Sequence, residues 1–141
     1  MIAALWLGGG AFLIFIAAPS AFSASDSPTN AANVVGAMLT RWHYIALALP
    51  LLLLGIEWRS ARVRVLIILS AAIALAAAQA FVDLRIRAIR NESPVAISAL
   101  DRSDPIRRRF GILHGVSSLL LLSQVVLAAA CTAMMTGEPN S

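Results

Sequence analysis

His43 and His114 are the only imidazoles in the chain. Each stands just inside an apolar run and close behind an arginine, Arg41 for the first and Arg109 for the second. An imidazole at that depth can ligate a metal or haem, handle a proton, or hydrogen-bond to a neighbouring helix. Two of them on helices that enter from the same side are how four-helix bundles hold haem, pigment or a metal, so His43 and His114 are the candidate cofactor-binding residues. Interhelical hydrogen bonding is the competing reading, because no second carboxylate or thiol ligand stands near either one. More polar residues interrupt the last apolar run, namely Ser117, Ser118, Ser123 and Gln124, while Gln79 and Asp83 close the one before it. Such groups are costly in lipid and are expected to face a bundle interior. His114, Ser117, Leu121 and Gln124 fall near one helical face. The chain has no nucleophile beside its base, no His-Glu-x-x-His and no Cys-x-x-Cys. Gly8-Gly9-Gly10 lacks the strand and the downstream lysine of a phosphate loop. No catalytic residue and no dedicated metal set is expected, and the identity of any cofactor stays open.

The elements that must position these residues are membrane spans. Apolar residues make up 60% of the chain and charged ones 13%, against about a quarter in soluble domains. In 141 residues there is room for a single all-α domain of four spans, at about 2–18, 42–56, 63–82 and 110–132. The last helix is the best marked: Asp104-Pro105 is a cap followed by proline at the first helical position, and the apolar run reaches Met135 before Gly137. Ser27-Pro28 repeats that signal ahead of span two, and Pro50 inside it predicts a kink. The first span is expected to stop at Pro19. With no basic residue before it and glycines inside it, it reads as a retained span rather than a signal peptide. Glu57-Trp58-Arg59-Ser60 makes a tight turn between antiparallel neighbours. The third helix should continue past the bilayer to Arg90, with Asp83 and Arg87 at ion-pair spacing. Ser93-Pro94 should open a short interfacial helix to Leu100. No internal repeat is evident.

All 11 basic residues are arginines, and the formal net charge is +4. They flank apolar runs and are not interleaved with aromatics, which excludes a nucleic-acid surface. Arg41, Arg85, Arg87, Arg90, Arg102, Arg107, Arg108 and Arg109 fall on one side of the four spans; Arg59, Arg62 and Arg64 fall on the other. That imbalance puts the first set in the cytoplasm and both termini outside it. Arg107, Arg108 and Arg109 are candidates for lipid headgroup contact. Trp6 and Trp58 would mark one interface, and Trp42, Tyr44 and Phe110 the other. Gly8, Gly9, Gly10, Gly115, Ser117 and Ser118 are the expected helix-packing positions. Cys131 is the single cysteine, so no internal disulfide can form, and a buried structural thiol is expected. The lack of lysine and the abundance of alanine point to a GC-rich bacterial genome and hence to an inner membrane.

Trp6-Leu7-Gly8-Gly9-Gly10-Ala11-Phe12, then Ala18-Pro19 and Phe22, and finally Arg109-Phe110 with His114-Gly115-Val116-Ser117-Ser118-Leu119 resemble the four-span family of bacterial membrane proteins related to transmembrane protein 205. The similarity extends over nearly the whole chain and is sharpest at 110–119. That family carries asparagine where Leu121 stands and a proline near Arg85, so this chain lacks two of its polar or bending positions. The resemblance implies a four-helix membrane fold and names no reaction. The Trp-Leu-Gly-Gly opening is also similar to small copper-resistance and haem-associated membrane proteins.

Together these features predict a non-enzymatic accessory subunit of a larger membrane assembly, in contact with lipid and with other subunits or further copies of itself. The alternatives are haem, pigment or metal binding between His43 and His114, and transport of a small solute by an oligomer.

Overall fold

The computed structural model describes residues 1–59, 63–93 and 95–136. Its first apolar rod has three parts: α1 (Ile2–Phe12), a π-helical turn (Leu13–Ala17) and α2 (Ala18–Ala24). Then come α3 (Pro28–Glu57), α4 (Val63–Glu92), a single 3-10 turn (Ile97–Ala99) and α5 (Pro105–Thr136). No strand occurs among the described residues. The four rods, of 23, 30, 30 and 32 residues, are each long and apolar enough to cross a membrane. At about 1.5 Å per residue, even the first exceeds a hydrocarbon core of about 30 Å. The protein is an all-α polytopic bundle.

Several boundaries differ from those the sequence predicts. Pro19 does not end the first helix. The Ala18 N–H reaches back five residues to the Leu13 carbonyl, so the widened turn breaks the α pattern just ahead of the proline. The missing N–H of Pro19 then falls where the ladder is already disturbed, and the rod runs on to Ala24. Helix α3 runs through Pro50, which lies inside the span as the sequence places it and is buried in the bundle. The expected interfacial helix after residue 93 is only the turn Ile97–Ala99. Ser60, Pro94 and Gly137, and with them parts of the expected tight turn, helix start and helix stop, lie outside the described residues.

Capping differs between the two Xaa-Pro starts. The Asp104 carboxylate accepts the Ile106 N–H at 2.7 Å, as an N-cap should. At Ser27 only the backbone carbonyl contributes, accepting from Ala31 at 3.0 Å, and the hydroxyl makes no cap bond. Before α5 the connection is tied down locally. Asp101 accepts from the Ser103 hydroxyl at 2.6 Å and its N–H at 2.8 Å, which holds its carboxyl below the ordinary value of 3.8.

The rods close into a ring in which α4 packs on α3 and α5, and α1 packs on α3 and α5. Buried positions show why. On α5 they are Ser117, Leu121, Gln124, Ala128 and Cys131; on α4 they include Leu69, Ala72, Ala76 and Gln79. Steps alternating between three and four give a period of about 3.5, the seam of left-handed packing, and the alanines let α4 and α5 approach closely. Trp6 is 1% exposed, among Leu53, Leu69, Ala72 and Cys131. It is a core residue, not an interface marker. Trp42 also turns inward: a methyl built on Gly9 would overlap its ring, and one built on Gly10 would lie 3.3 Å from it and 2.8 Å from Val125 Cγ2. The close approach at Gly9 is therefore to an indole, and at Gly10 to Val125 and the same indole.

Candidate functional site

The seam positions of three helices meet near the arginine-rich end and carry polar side chains there. α3 supplies His43, α4 supplies Gln79 and Asp83, and α5 supplies Ser117. His43 Nδ1 is paired with Asp83 Oδ2. The Gln79 amide nitrogen donates to Asp83 Oδ1 at 3.3 Å and to Ser117 Oγ at 2.6 Å. One continuous chain, His43–Asp83–Gln79–Ser117, thus ties α3, α4 and α5 together. Gln79 is wholly buried, and the His43 and Asp83 side chains are 9% and 18% exposed. Among the described residues, four buried polar atoms have no partner: His43 Nε2, Gln79 Oε1, and both amide atoms of Gln124. Gln124 follows Ser117 by one heptad, about 10 Å deeper along the seam. Each such group costs on the order of 1–3 kcal/mol when left unmade, so their concentration marks the bundle interior as more than apolar filler.

Beside this chain a groove of about 460 Å³ runs among α2, α3, α4 and α5. Phe22, Val35 and Leu39 are apolar walls, and Thr40, Asp83, Arg87, Arg90, His114 and Ser117 supply the polar ones. Arg87 donates to Thr40 Oγ1 at 3.1 Å. Arg90 lies over the Phe110 ring at 5.8 Å, and Phe110 in turn stacks on His114 with centroids 6.0 Å apart. Among the described residues neither guanidinium meets a carboxylate. The Asp83–Arg87 pair expected from their spacing is not formed: Asp83 points inward to His43 and Gln79, and Arg87 reaches α3 instead. A neighbouring hollow of about 480 Å³ shares Arg90 and Phe110.

The sequence-predicted positions scatter across this arrangement. His43 takes Asp83 as its ring partner, whereas His114 is exposed at the groove, stacked on Phe110. Among the described residues no three His, Cys, Asp or Glu side chains converge as a metal set. Gly8 and Gly115 have nothing within 4 Å of where a Cβ would stand, so inside this chain neither is a close-contact position. Ser118 is exposed, and its hydroxyl is bonded at 2.9 Å to the His114 carbonyl of its own helix. Arg107 folds back to the Leu100 carbonyl at 2.6 Å; Arg108 and Arg109 are exposed. Cys131 is fully buried, its thiol 3.7 Å from Met135 Sδ.

Sequence reasoning missed Asp83 as the partner of His43 and missed Arg87 and Arg90 as a paired feature. The signal was present. Extending the three- and four-residue steps of α4 past Ala76 and Gln79 brings the seam to Val82 and Asp83, where the charged extension begins.

No curated protein and no solved structure matches the chain. Residues 1–95 match the family described as a domain of unknown function, DUF4149. The matched stretch runs from α1 through the end of α4, so it includes His43, Gln79, Asp83, Arg87 and Arg90 and leaves out Ser117 and His114. On that match over most of its length, the chain belongs to the DUF4149 family.

Proposed function

We propose that this chain is a non-enzymatic accessory subunit of a larger assembly in a bacterial inner membrane, one of the four-span proteins related to transmembrane protein 205. A strip of small residues on α5, running from the rim of the hollow at Gly111 to Gly115, carries that reading. Gly111 and Gly115 stand four residues apart, and nothing lies within 4 Å of a Cβ built on either. Two glycines at that spacing let a second helix bring its backbone close, whereas lipid gains nothing from a missing side chain. Ser118 continues the strip and is already satisfied by its own helix, so it demands no polar partner.

The test is extraction in mild detergent followed by native electrophoresis and mass measurement. The wild type should run in a defined complex, and Gly111→Leu with Gly115→Leu should release it with the bundle's melting temperature unchanged. A wild type that is monomeric under the gentlest extraction would sink the proposal, as would a complex indifferent to both leucines.

A second reading has one observation in its favour. The Nδ1 of His43 is held by a carboxylate while Nε2 is free of protein partners, the orientation a ligating imidazole adopts. Haem, pigment or metal binding at His43, with His114 as the second candidate, would show as visible absorption or stoichiometric metal in the same preparation. A homo-oligomer carrying neither would favour transport of a small solute.

A further inference from the structure

We propose that the groove at the arginine-rich end of the bundle binds one anionic phospholipid, with its phosphate on Arg87 and Arg90. The two guanidiniums sit one turn apart on α4 and are already fixed, Arg87 by Thr40 at 3.1 Å and Arg90 over the Phe110 ring at 5.8 Å. Neither has a carboxylate partner among the described residues, and both are exposed at the mouth of the groove, where like charges one turn apart on a helix repel and favour a counter-charge. Arg87 spends one N–H on Thr40, and the rest of both forks remain for oxygen acceptors. A phosphate fits that donor set better than any single side chain.

Depth points to a lipid. Arg87 and Arg90 follow Asp83 by one to two turns, about 6–10 Å along the axis, which lifts them from the last apolar turn into the headgroup layer. The groove below them is walled by Phe22, Val35 and Leu39. Its volume of about 460 Å³ suits a phosphate with its glycerol and first methylenes, the chains running on into the bilayer. Asp83 shares this wall, but its two oxygens are engaged by His43 and Gln79, so the arginines dominate the mouth. The cluster at 107–109 is placed differently: Arg107 is taken by the Leu100 carbonyl, and Arg108 and Arg109 line a smaller hollow of about 330 Å³ with Ser103, Pro105 and Ile112, without the apolar walls of Phe22, Val35 and Leu39.

The experiment uses the full chain, delipidated in detergent and exposed separately to dioleoyl phosphatidylglycerol, dioleoyl phosphatidylcholine and inorganic phosphate. Native mass spectra should show one phosphatidylglycerol surviving activation that strips phosphatidylcholine, and only phosphatidylglycerol should raise the melting temperature. Substituting Arg87→Gln and Arg90→Gln together should weaken phosphatidylglycerol about 25-fold, roughly fivefold per charge, while Arg108→Gln with Arg109→Gln should change it less than about twofold. Equal retention of phosphatidylcholine, protection by phosphate alone, or equal loss in the Arg108 and Arg109 variant overturns the proposal. The wild-type comparison among the three probes decides the matter even if the groove variant does not fold.

Discussion

At the scale of single residues, the His43–Asp83 pair is the most consequential contact in the bundle. A carboxylate and an imidazole in a low-dielectric interior stabilise each other only as a pair, and removing one strands the other. His43→Ala and Asp83→Asn should each lower the unfolding free energy in detergent by about 1–2 kcal/mol, with the double variant losing about 1 kcal/mol less than the sum. His114→Ala combined with His43→Ala should instead be additive within about 0.5 kcal/mol, because the two rings belong to separate contacts. The measurement is denaturant or thermal unfolding of the four proteins of each cycle. Strong coupling between the histidines would show that they act as a unit and favour the shared-ligand reading. The chain alone pairs the two histidines by depth and counts Asp83 among the groups expected inside the bundle, but nothing local in it shows that Asp83 meets His43 rather than Arg87.

At the scale of elements, the first rod depends on two accommodations. The π turn at Leu13–Ala17 lets it carry Pro19 and remain one rod, and Gly9 with Gly10 lets it take the Trp42 ring of α3. Gly10→Leu would drive a branched side chain into Val125 and Trp42, and overpacking of that kind costs typically 1–3 kcal/mol. The detergent melting temperature should therefore fall for Gly9→Leu and Gly10→Leu. It should hold for Gly8→Leu, where a Cβ meets nothing within 4 Å. A melting temperature unmoved by Gly10→Leu would mean that α1 does not sit against α3 and α5 as described. The glycine triplet is legible in sequence as a packing feature, but a helix turns about 100° per residue, so three consecutive glycines cannot share one face. Which of them meets a neighbour is set by the rotation of the whole rod.

At the scale of the molecule, the four rods form a closed ring with most of the arginines gathered at one end, and that gathering should set orientation. A reporter joined after Ser141 is expected to read as non-cytoplasmic, and one inserted after Asn91, at the exposed end of α4, as cytoplasmic. The reverse pattern would overturn the charge argument and put the Arg87–Arg90 groove against the opposite leaflet. Orientation is a property of the whole chain because the positive charges at 85–109 act together on the same pair of membrane ends. The ring itself leaves little of each helix buried, and large apolar side chains such as Phe15, Ile67, Leu119 and Val126 face outward. A bilayer, not water, is the solvent that surface fits.

The sequence by itself determined the solvent and the architecture. Apolar runs of spanning length, arginines at their ends and the Asp104-Pro105 start suffice for an all-α bundle of four spans, because backbone groups in lipid must be satisfied within each helix. Most polar seam positions were legible too, since Gln79, Ser117 and Gln124 are too costly to face lipid. The tertiary structure decided partners. That His43 meets Asp83, that Trp42 lies on Gly9 and Gly10, and that Arg87 and Arg90 share a groove with His114 all follow from the rotation and relative height of whole rods. Those are fixed by the summed fit of alanines, leucines and Trp6 along the seams, and no single stretch of the chain records that sum.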